Sequence, residues 1–421
     1  MDGNMDAVHV PVHQDEREPL LGRSEDVEDG YGGRVDEGWF RRISFSDSTK
    51  RVLGKLGLYI LAFLVVLLGL FALLARPLFA RTPPLPTRDT PPPSFPSTGI
   101  RMLAYNFYLR PPPIESIGRD YKEDRLNLFI DTAINEFDIM ALSETFGTLN
   151  SRRERLVDAA AERGLRYWAH GNERNWWKGT FVDSGLLVLS RFPIIKTETI
   201  LYQRAYGPDR YAAKGVLYTQ ILLEDTPDHK TRLHLFTSHL QASYLPDDPD
   251  DGDDLIGPAS SIRHDQFIQM RSFMDSVLEA SAYDPVNDAV VLAGDFNVPG
   301  ARFGWEPQRD GKEYFRMLHT LTSRDAAVLD ALREATGQQP QTWKPWKQSL
   351  KGTENDMIDK QAGKRLDYIL QWRPREAEHG HVSVSVNETG LRPFRVHDKP
   401  FTQLSDHTGV ASILRLAPSN T

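Results

Sequence analysis

The chain has no cysteine among its 421 residues. It therefore forms no disulfide bond and offers neither a thiol nucleophile nor a thiolate metal site. It also has no excess of basic residues, because 58 acidic residues against 50 lysines and arginines give a formal charge of −8. A protein that binds polyphosphate backbones without sequence preference usually presents a basic face, so this balance argues against a nucleic acid as partner.

Charged residues are also absent from one long stretch, residues 56–75. A helix of this length rises about 30 Å, at roughly 1.5 Å per residue, which matches the hydrocarbon core of a bilayer. A buried core helix would be shorter or amphipathic, and a cleaved signal peptide would lie nearer the N-terminus with a shorter apolar core. Residues 56–75 are therefore predicted to form a transmembrane helix that places the protein in a lipid bilayer.

The charges that flank this stretch predict its orientation. Basic residues are more numerous on its N-terminal side: Arg41, Arg42, Lys50, Arg51 and Lys55 precede it, and Arg76, Arg81 and Arg88 follow it. Because cytoplasmic flanks carry the excess of Lys and Arg, the N-terminus is expected in the cytoplasm and the bulk of the chain in a lumen or outside the cell. The protein is then a single-pass type II membrane protein of the plasma membrane or of an endomembrane such as a vacuole or lysosome. The glycosylation sequon at Asn387 agrees with this orientation.

The remaining segments are assigned from composition. Residues 1–55 hold many charges and few large apolar side chains, which predicts a disordered cytosolic tail. Within it, residues 16–21 resemble the acidic dileucine signal that clathrin adaptors read, although a random tail also produces six-residue matches. Residues 76–98 are rich in proline and are expected to form an extended stalk. Residues 99–421 are predicted to form one large folded domain.

The apolar pattern of this domain predicts a mixed α/β fold. Helical spacing indicates helices at residues 122–136, 152–163 and 260–281, and short apolar runs indicate nine or more strands. Many strands with few helices favour two packed mixed β-sheets with helices outside.

Six of the strand-like segments carry a polar residue where the strand meets a loop: Asn106, Glu144, His239, Asp295, Asp367 and His407. Asn297 follows Asp295 in the motif Gly-Asp-Phe-Asn, and Asp406 precedes His407 in Ser-Asp-His. A single polar residue at a strand end is usually a cap or a satisfied hydrogen bond. Six in one chain, with this mixture of carboxylate, amide and imidazole, favour the metal-assisted hydrolysis of a phosphoester instead.

The residue types suggest how such a site would work. Glu144 and Asn106 offer oxygen ligands of the kind that Mg²⁺ prefers, and Mn²⁺ is expected to substitute. His407 is the best general base, and Asp367 can orient its second ring nitrogen. Asp295 can position the attacking water or a second ion, Asn297 can donate to the phosphate, and His239 can donate to a nonbridging oxygen or protonate the leaving group.

The set of motifs resembles the endonuclease/exonuclease/phosphatase superfamily, whose fold is that of pancreatic DNase I. Within it, residues 99–418 are most similar to the neutral, magnesium-dependent sphingomyelinases, on the strength of Leu103–Leu109, Lys214–Thr219 and Thr237–Ala242, with Arg263 and Gln266 following. The resemblance implies a four-layer α/β (α+β) sandwich preceded by the transmembrane helix. It also implies the catalytic roles given above, with Asp406 at the metal and a membrane phospholipid as substrate.

For the residues that would contact the substrate, the sequence leaves alternative roles open. Asp183 is either a phosphate or headgroup contact or a loop acceptor that caps its own turn, and Lys214 either neutralises phosphate or is a solvated edge residue. The pair Trp176-Trp177 suits an interfacial anchor, a choline cage or ordinary packing. By resemblance, Phe394 and Phe401 fall where a membrane-touching hairpin is expected.

These observations predict a metal-dependent phosphodiesterase that cleaves a sphingophospholipid of the sphingomyelin or inositol-phosphoceramide type. A membrane-tethered nuclease with the same centre is the main alternative, and a phosphoinositide phosphatase is less favoured. No nucleic acid is expected as partner.

Overall fold

The fold is that of a computed structural model. It describes residues 46–79, 83, 95–115, 118–226, 230–244, 257–302, 306–324, 326–344, 363–374 and 384–416, with side chains absent from the description at 72–79. The chain divides into two compact units, Met1–Ala80 and Arg81–Thr421. The dileucine candidate at residues 16–21 and most of the predicted tail and stalk lie outside the described residues.

The first unit contains one long helix, α1 (Asp47–Phe79). Its part Asp47–Phe71 is long and apolar enough to cross a membrane, with a mean hydropathy of 2.3. The helix begins within residues 1–55, so the predicted disordered tail is too long at its C-terminal end. The reason is local: the Ser46 hydroxyl accepts from the backbone of Thr49, and Asp47 stands in the first turn. A hydropathy profile detects the apolar stretch but does not detect the residues at which the helix begins.

The second unit holds the strands and the other helices. In the described residues the strands are β1 (Ile100–Leu109), β2 (Ile139–Thr145), β3 (Tyr167–His170), β4 (Leu187–Ser190), β5 (Ile194–Leu201), β6 (Gly215–Asp225), β7 (Lys230–His239), β8 (Ala289–Asp295), β9 (Ala301–Arg302), β10 (Glu306–Asp310), β11 (Ala326–Asp330), β12 (Asp367–Pro374), β13 (Val384–Arg392) and β14 (Gly409–Leu416). The helices are α2 (Lys122–Thr132), α3 (Arg152–Glu162), α4 (Pro258–Ala280), α5 (Lys312–Leu321) and α6 (Ala331–Thr336).

Two six-stranded mixed sheets form the centre of this unit. The first has the order β13-β14-β1-β2-β4-β3, and the second has the order β11-β12-β8-β7-β6-β5. Each contains one parallel pair, β1 with β2 and β7 with β8, among antiparallel neighbours. The parallel pairs matter for the site, because their strands end at the same edge.

Alternation along the strands separates three apolar layers. On β1, Met102 and Ala104 join the core between the sheets, whereas Leu103 and Tyr105 face α2 and α3. The second sheet repeats this arrangement, with apolar residues of β8 alternating between the central core and a layer shared with α4 and α5. Helix, sheet, sheet and helix are therefore stacked in four layers, which confirms the fold class predicted from the sequence.

Candidate active site

Strand register aligns three of the predicted residues at one edge of the second sheet. His239 pairs with Asp295 across the parallel strands β7 and β8, and Asp295 pairs with Asp367 across β8 and β12. These residues end β7 and β8 and begin β12. Their side chains are buried, so the sheet itself fixes an imidazole and two carboxylates as neighbours.

The residue before Asp295 has to be glycine. Gly294 has a φ of +142°, and a Cβ atom there would lie 2.1 Å from the carbonyl oxygen of Ser238 on β7. Any side chain would push β8 away from β7 at Ser238, the residue before His239. This glycine of the Gly-Asp-Phe-Asn motif therefore permits the close strand pairing that brings Asp295 to His239.

The first sheet contributes Asn106 and Glu144, and Asn106 connects the two sheets. Its Nδ2 atom donates to Glu144 Oε1 at 3.0 Å and to Asp295 Oδ2 at 2.9 Å. Its own amide oxygen accepts from the backbone of Tyr108. The amide thus presents its nitrogen to the carboxylates and positions both of them, while its predicted role as a direct metal ligand stays a prediction.

His407 is held by Asp367. The Nδ1 atom of the imidazole lies 2.7 Å from Asp367 Oδ2, and the Nε2 atom lies 3.7 Å from Asp295 Oδ2, which is too long for a hydrogen bond. Burial favours the neutral ring, but the carboxylates of Asp367 and Asp295 outweigh it and raise the pKa of His407 to about 10. The ring is therefore strongly basic and has a fixed orientation.

The atoms of Asp295, Asp367 and His407 lie within 4.8 Å of one another, close enough to hold a metal ion. We interpret the cluster as an acid–imidazole pair with an adjacent carboxylate, because a metal on Nδ1 would have to displace the hydrogen bond to Asp367. A buried oxygen of Asp367, Oδ1, has no hydrogen-bond partner among the described residues.

Glu144 and Asp406 fit a divalent cation better. Burial, followed by the nearby charge of Asp406, raises the pKa of Glu144, and burial also raises the pKa of Asp406. The Oε2 atom of Glu144 is buried and has no hydrogen-bond partner in the described part of the chain. An ion bound by these oxygens would offset the repulsion between the two carboxylates and give the Oε2 atom of Glu144 a partner.

The backbone at Glu144 supports a functional interpretation. Glu144 has a φ of +54°, a conformation that non-glycine residues rarely adopt and that costs free energy. Residue Gly185 packs beneath it, and a Cβ atom there would lie 3.2 Å from the Cα of Glu144. The fold thus holds a strained glutamate at the end of β2.

His239 and Asn297 complete the set. Burial, together with the charges of Lys214 and His407, lowers the pKa of His239 well below 6.5, so its ring is neutral at pH 7 and carries one N–H donor. Its Nε2 atom lies 3.6 Å from Asp295 Oδ2. The backbone N–H of Asn297 donates to Asp295 Oδ1, and its side-chain Nδ2 donates to the carbonyl of Leu240.

The two predicted substrate contacts have partners inside the protein. Asp183 accepts from the backbone of Gly147 and from the backbone and hydroxyl of Thr148, and so anchors the loop that follows Glu144. Lys214 donates to the Leu240 carbonyl and pairs with Asp209 at 2.8 Å. Both residues hold segments next to the site in place, and their direct contact with substrate stays a prediction.

The predicted lipid contact of Phe394 and Phe401 is wrong. Both rings are buried, Phe394 against Tyr105 and Phe129, and Phe401 against Tyr121. They belong to the core between the first sheet and α2.

Sequence reasoning missed the residues that position Asp406 and Asp367. Trp343 Nε1 donates to Asp406 Oδ2 at 3.2 Å, and the hydroxyl of Thr342 accepts from the backbone of Leu366 and of Asp367. The Ser405 hydroxyl donates to the backbone oxygen of Asn106, which ties the Ser-Asp-His segment to β1. These contacts join distant segments, so no local pattern could reveal them.

Comparison with known proteins identifies the family. A model of the endonuclease/exonuclease/phosphatase family matches residues 104–407, well over half of the chain. The matched region runs from β1 to His407 and so includes every predicted catalytic residue. The chain belongs to the endonuclease/exonuclease/phosphatase family.

Curated relatives narrow the position within this family. The chain is 31% identical to a sphingomyelinase of Dictyostelium discoideum over 335 residues, covering 67% of this chain and 72% of the relative. It is 26% identical to sphingomyelinase C of Listeria ivanovii over 286 residues, covering 65% and 69%. This member of the family is thus a hydrolase of the phosphodiesterase type, similar to sphingomyelinase C.

Solved structures confirm the fold. The SmcL crystal structure matches with a TM-score of 0.50 and 22% identity, covering 75% of this chain and 98% of the other. A beta toxin of Staphylococcus aureus with bound magnesium ions matches with a TM-score of 0.51 and 18% identity, covering 75% and 99%.

Proposed function

We propose that the chain is a Mg²⁺-dependent phosphodiesterase that hydrolyses a sphingophospholipid to ceramide and a phosphorylated headgroup. The proposed substrate is of the sphingomyelin or the inositol-phosphoceramide type. The proposal is supported by the names of the relatives, above all the Dictyostelium sphingomyelinase at 31% identity. The bound magnesium of the similar beta toxin and the oxygen-only character of the Glu144 and Asp406 pair support the choice of metal.

The observation that carries the mechanism is the geometry of His407. Asp367 fixes one ring nitrogen at 2.7 Å and leaves Nε2 without a hydrogen bond to Asp295. A base needs such a free nitrogen, in a known orientation, facing the other reacting groups. Asp295, Asn106 and Glu144 form a continuous hydrogen-bonded chain beside it.

The reaction follows from these positions. A water molecule between His407 Nε2 and Asp295 gives its proton to the imidazole as its oxygen forms a bond to phosphorus. The bond between phosphorus and the ceramide oxygen breaks, the ceramide oxygen takes up a proton from solvent, and His407 later releases its own proton to solvent. His239 and Asn297 donate hydrogen bonds to the phosphoryl oxygens, which gain charge in the transition state.

A divalent cation would be held by Glu144 and Asp406, with Asn106 holding the first of these carboxylates in place. When bound, it would polarise the phosphoryl group and stabilise the leaving alkoxide.

The membrane setting forms part of the proposal. We propose that α1 anchors the chain as a type II protein of an endomembrane or the plasma membrane, with the catalytic unit lumenal or extracellular and the N-terminal tail available to a clathrin adaptor. The apolar length of α1 supports the anchor, and the flanking charges support the orientation.

A substrate panel tests the proposed function. The full chain, purified in detergent, is assayed with Mg²⁺ against sphingomyelin, inositol-phosphoceramide, phosphatidylcholine, phosphatidylinositol phosphates and DNA. We expect turnover of a sphingophospholipid and none of DNA. Cleavage of DNA alone, or release of inorganic phosphate from a phosphoinositide alone, would replace the proposal with one of the two alternatives.

A further inference from the structure

Four exposed aromatic side chains lie in two segments of the catalytic unit that are joined by backbone hydrogen bonds. We call Trp176, Trp177, Phe181 and Tyr211 the aromatic cluster. Trp177 is 98% exposed and Trp176 61%, and the other two are more than 40% exposed. Tryptophan is normally largely buried in a folded protein, so a fully exposed Trp beside a second exposed Trp is unusual and marks an interaction surface.

The cluster is built into a structured turn. The Asn175 side chain accepts from the backbone N–H groups of Trp177 and Lys178, and Asn175 pairs with Thr180 across the turn. Three of the rings also contact one another, with centroid distances of 5.5 Å between Trp176 and Phe181 and 5.7 Å between Phe181 and Tyr211. The local structure therefore fixes the backbone from which Trp177 projects, which lowers the entropic cost of binding a partner.

Both segments of the aromatic cluster are continuous in sequence with residues that support the candidate active site. Phe181 lies two residues before Asp183, which anchors the loop after Glu144. On the other side, Tyr211 lies three residues before Lys214, whose ammonium group shares the Leu240 carbonyl with Asn297. Both segments of the cluster thus lead directly into the residues around the reacting groups.

Cations surround the rings. Arg174 lies over the Trp176 ring and Arg210 over the Tyr211 ring, with distances of 5.6 and 4.7 Å to the ring centroids, and Lys178 is exposed. The acidic neighbour Glu173 pairs with Arg153 at 3.0 Å instead of neutralising them. The surface therefore offers aromatic rings with positive charge beside them.

We propose that the aromatic cluster is an interfacial seat that inserts Trp176 and Trp177 into the headgroup region of a phospholipid bilayer. Arg174, Lys178 and Arg210 contact lipid phosphates there, and the seat brings the active site against the substrate layer. Tryptophan and tyrosine prefer the boundary between headgroups and acyl chains, and nearby cations add attraction to phosphate. The inference rests on the proposed function, because only an enzyme with a bilayer substrate has use for such a seat at its active-site rim.

A depth measurement tests the seat without using catalysis. Because the chain has no cysteine, Trp177→Cys creates a unique labelling site. The matched control is Val286→Cys, which is 56% exposed and stands before β8, at the opposite end of that strand from Asp295. Each full-length variant is labelled with a polarity-sensitive fluorophore and reconstituted into vesicles of phosphatidylcholine and sphingomyelin.

The label at position 177 is expected to show blue-shifted emission and to be quenched by nitroxide-bearing lipids, whereas the label at position 286 responds to a water-soluble quencher. Equal response of both labels to the aqueous quencher would overturn the proposal. Trp177 makes no buried contacts, so the exchange leaves the fold intact, and circular dichroism verifies this.

Activity then separates the seat from the chemistry. Trp177→Ala should lower turnover of sphingomyelin in vesicles about tenfold, the loss of one interfacial side chain. For a short-chain sphingomyelin used below its critical micelle concentration, turnover by the variant should stay within about twofold of the wild-type value. Equal loss on both substrates would contradict the seat. If wild-type protein cleaves neither substrate, the proposed function fails, while the depth measurement still decides on the seat.

Discussion

His407 and Asp367 are 40 positions apart in the sequence, yet Nδ1 of the imidazole lies 2.7 Å from the Oδ2 atom of the carboxylate. The contact forms because Asp367 begins β12 while His407 lies two residues before β14, so each sheet delivers one partner. Orientation and basicity of the ring both follow from it.

Replacement of the base should nearly abolish turnover. His407→Ala removes the proton acceptor and is expected to lower kcat by about 10²- to 10⁴-fold, the usual contribution of a general base. The matched control is His397→Ala, which removes an exposed imidazole ten residues away and should retain activity. Circular dichroism and thermal unfolding check that both variants fold. Near-normal turnover in a folded His407→Ala protein would exclude this residue as the base.

The pH profile should report the Asp367 contact. The carboxylate helps raise the pKa of His407, and only the unprotonated ring accepts a proton, so activity falls as pH falls through that pKa. Asp367→Asn removes the negative partner, lowers the pKa of His407, and should move the acidic limb of kcat/KM to lower pH while also reducing the maximum.

Asp288→Asn provides the control for this shift. Asp288 is a second buried carboxylate beside an imidazole, 3.3 Å from His234, next to the start of β8 and away from Asp295. Its replacement should lower thermal stability and leave the acidic limb in place. If the acidic limb of kcat/KM shifts by the same amount in both variants, the shift reflects general destabilisation.

The metal dependence of activity should change when Glu144 is replaced. Chelation is expected to abolish activity, and Mg²⁺ or Mn²⁺ to restore it. Glu144→Gln should raise the metal concentration for half-maximal activity at least about tenfold, because an amide oxygen replaces the free buried carboxylate oxygen. The exposed Glu279→Gln serves as the control. Activity that survives exhaustive chelation would indicate a hydrolase that does not use a metal.

Orientation in the membrane can be read by protease protection. With tags at residues 1 and 421 of the full chain in sealed microsomes, protease added without detergent should digest the N-terminal tag and spare the C-terminal one, because the basic residues lie mainly on the N-terminal side of α1. The reverse pattern would place the active site in the cytosol. In the folded protein the Asn387 side chain donates to Ser385, so glycosylation is not used as the readout.

The sequence predicted the layers, and it singled out the polar residues that the structure brings together, because both depend on local signals. Polar residues at strand ends, such as Glu144 and Asp295, are visible next to apolar runs, and the structure brings them together through Asn106. The edge strand β5 is harder to predict, because its half-exposed residues do not form a continuous apolar run.

Contacts between residues that lie far apart in the sequence could not be predicted. Lys214 was open between phosphate contact and edge residue, and the structure shows a buried pair with Asp209 that no spacing indicates. Phe394 and Phe401 were expected at a lipid surface by analogy. In the structure, Phe394 packs against Tyr105 and Phe129 in the core. Conversely, the residues around Trp177 in the sequence do not indicate that its side chain is fully exposed.

The origin of the oxygen added during hydrolysis tests the central claim most directly. Sphingomyelin is incubated with the full chain and Mg²⁺ in water enriched in heavy oxygen, and the products are analysed by mass spectrometry. Attack by a His407-activated water on phosphorus places the heavy oxygen in the phosphorylated headgroup and none in ceramide, and His407→Ala forms neither product at a comparable rate. Heavy oxygen in ceramide, or the same labelled headgroup formed equally fast by His407→Ala, would contradict the account.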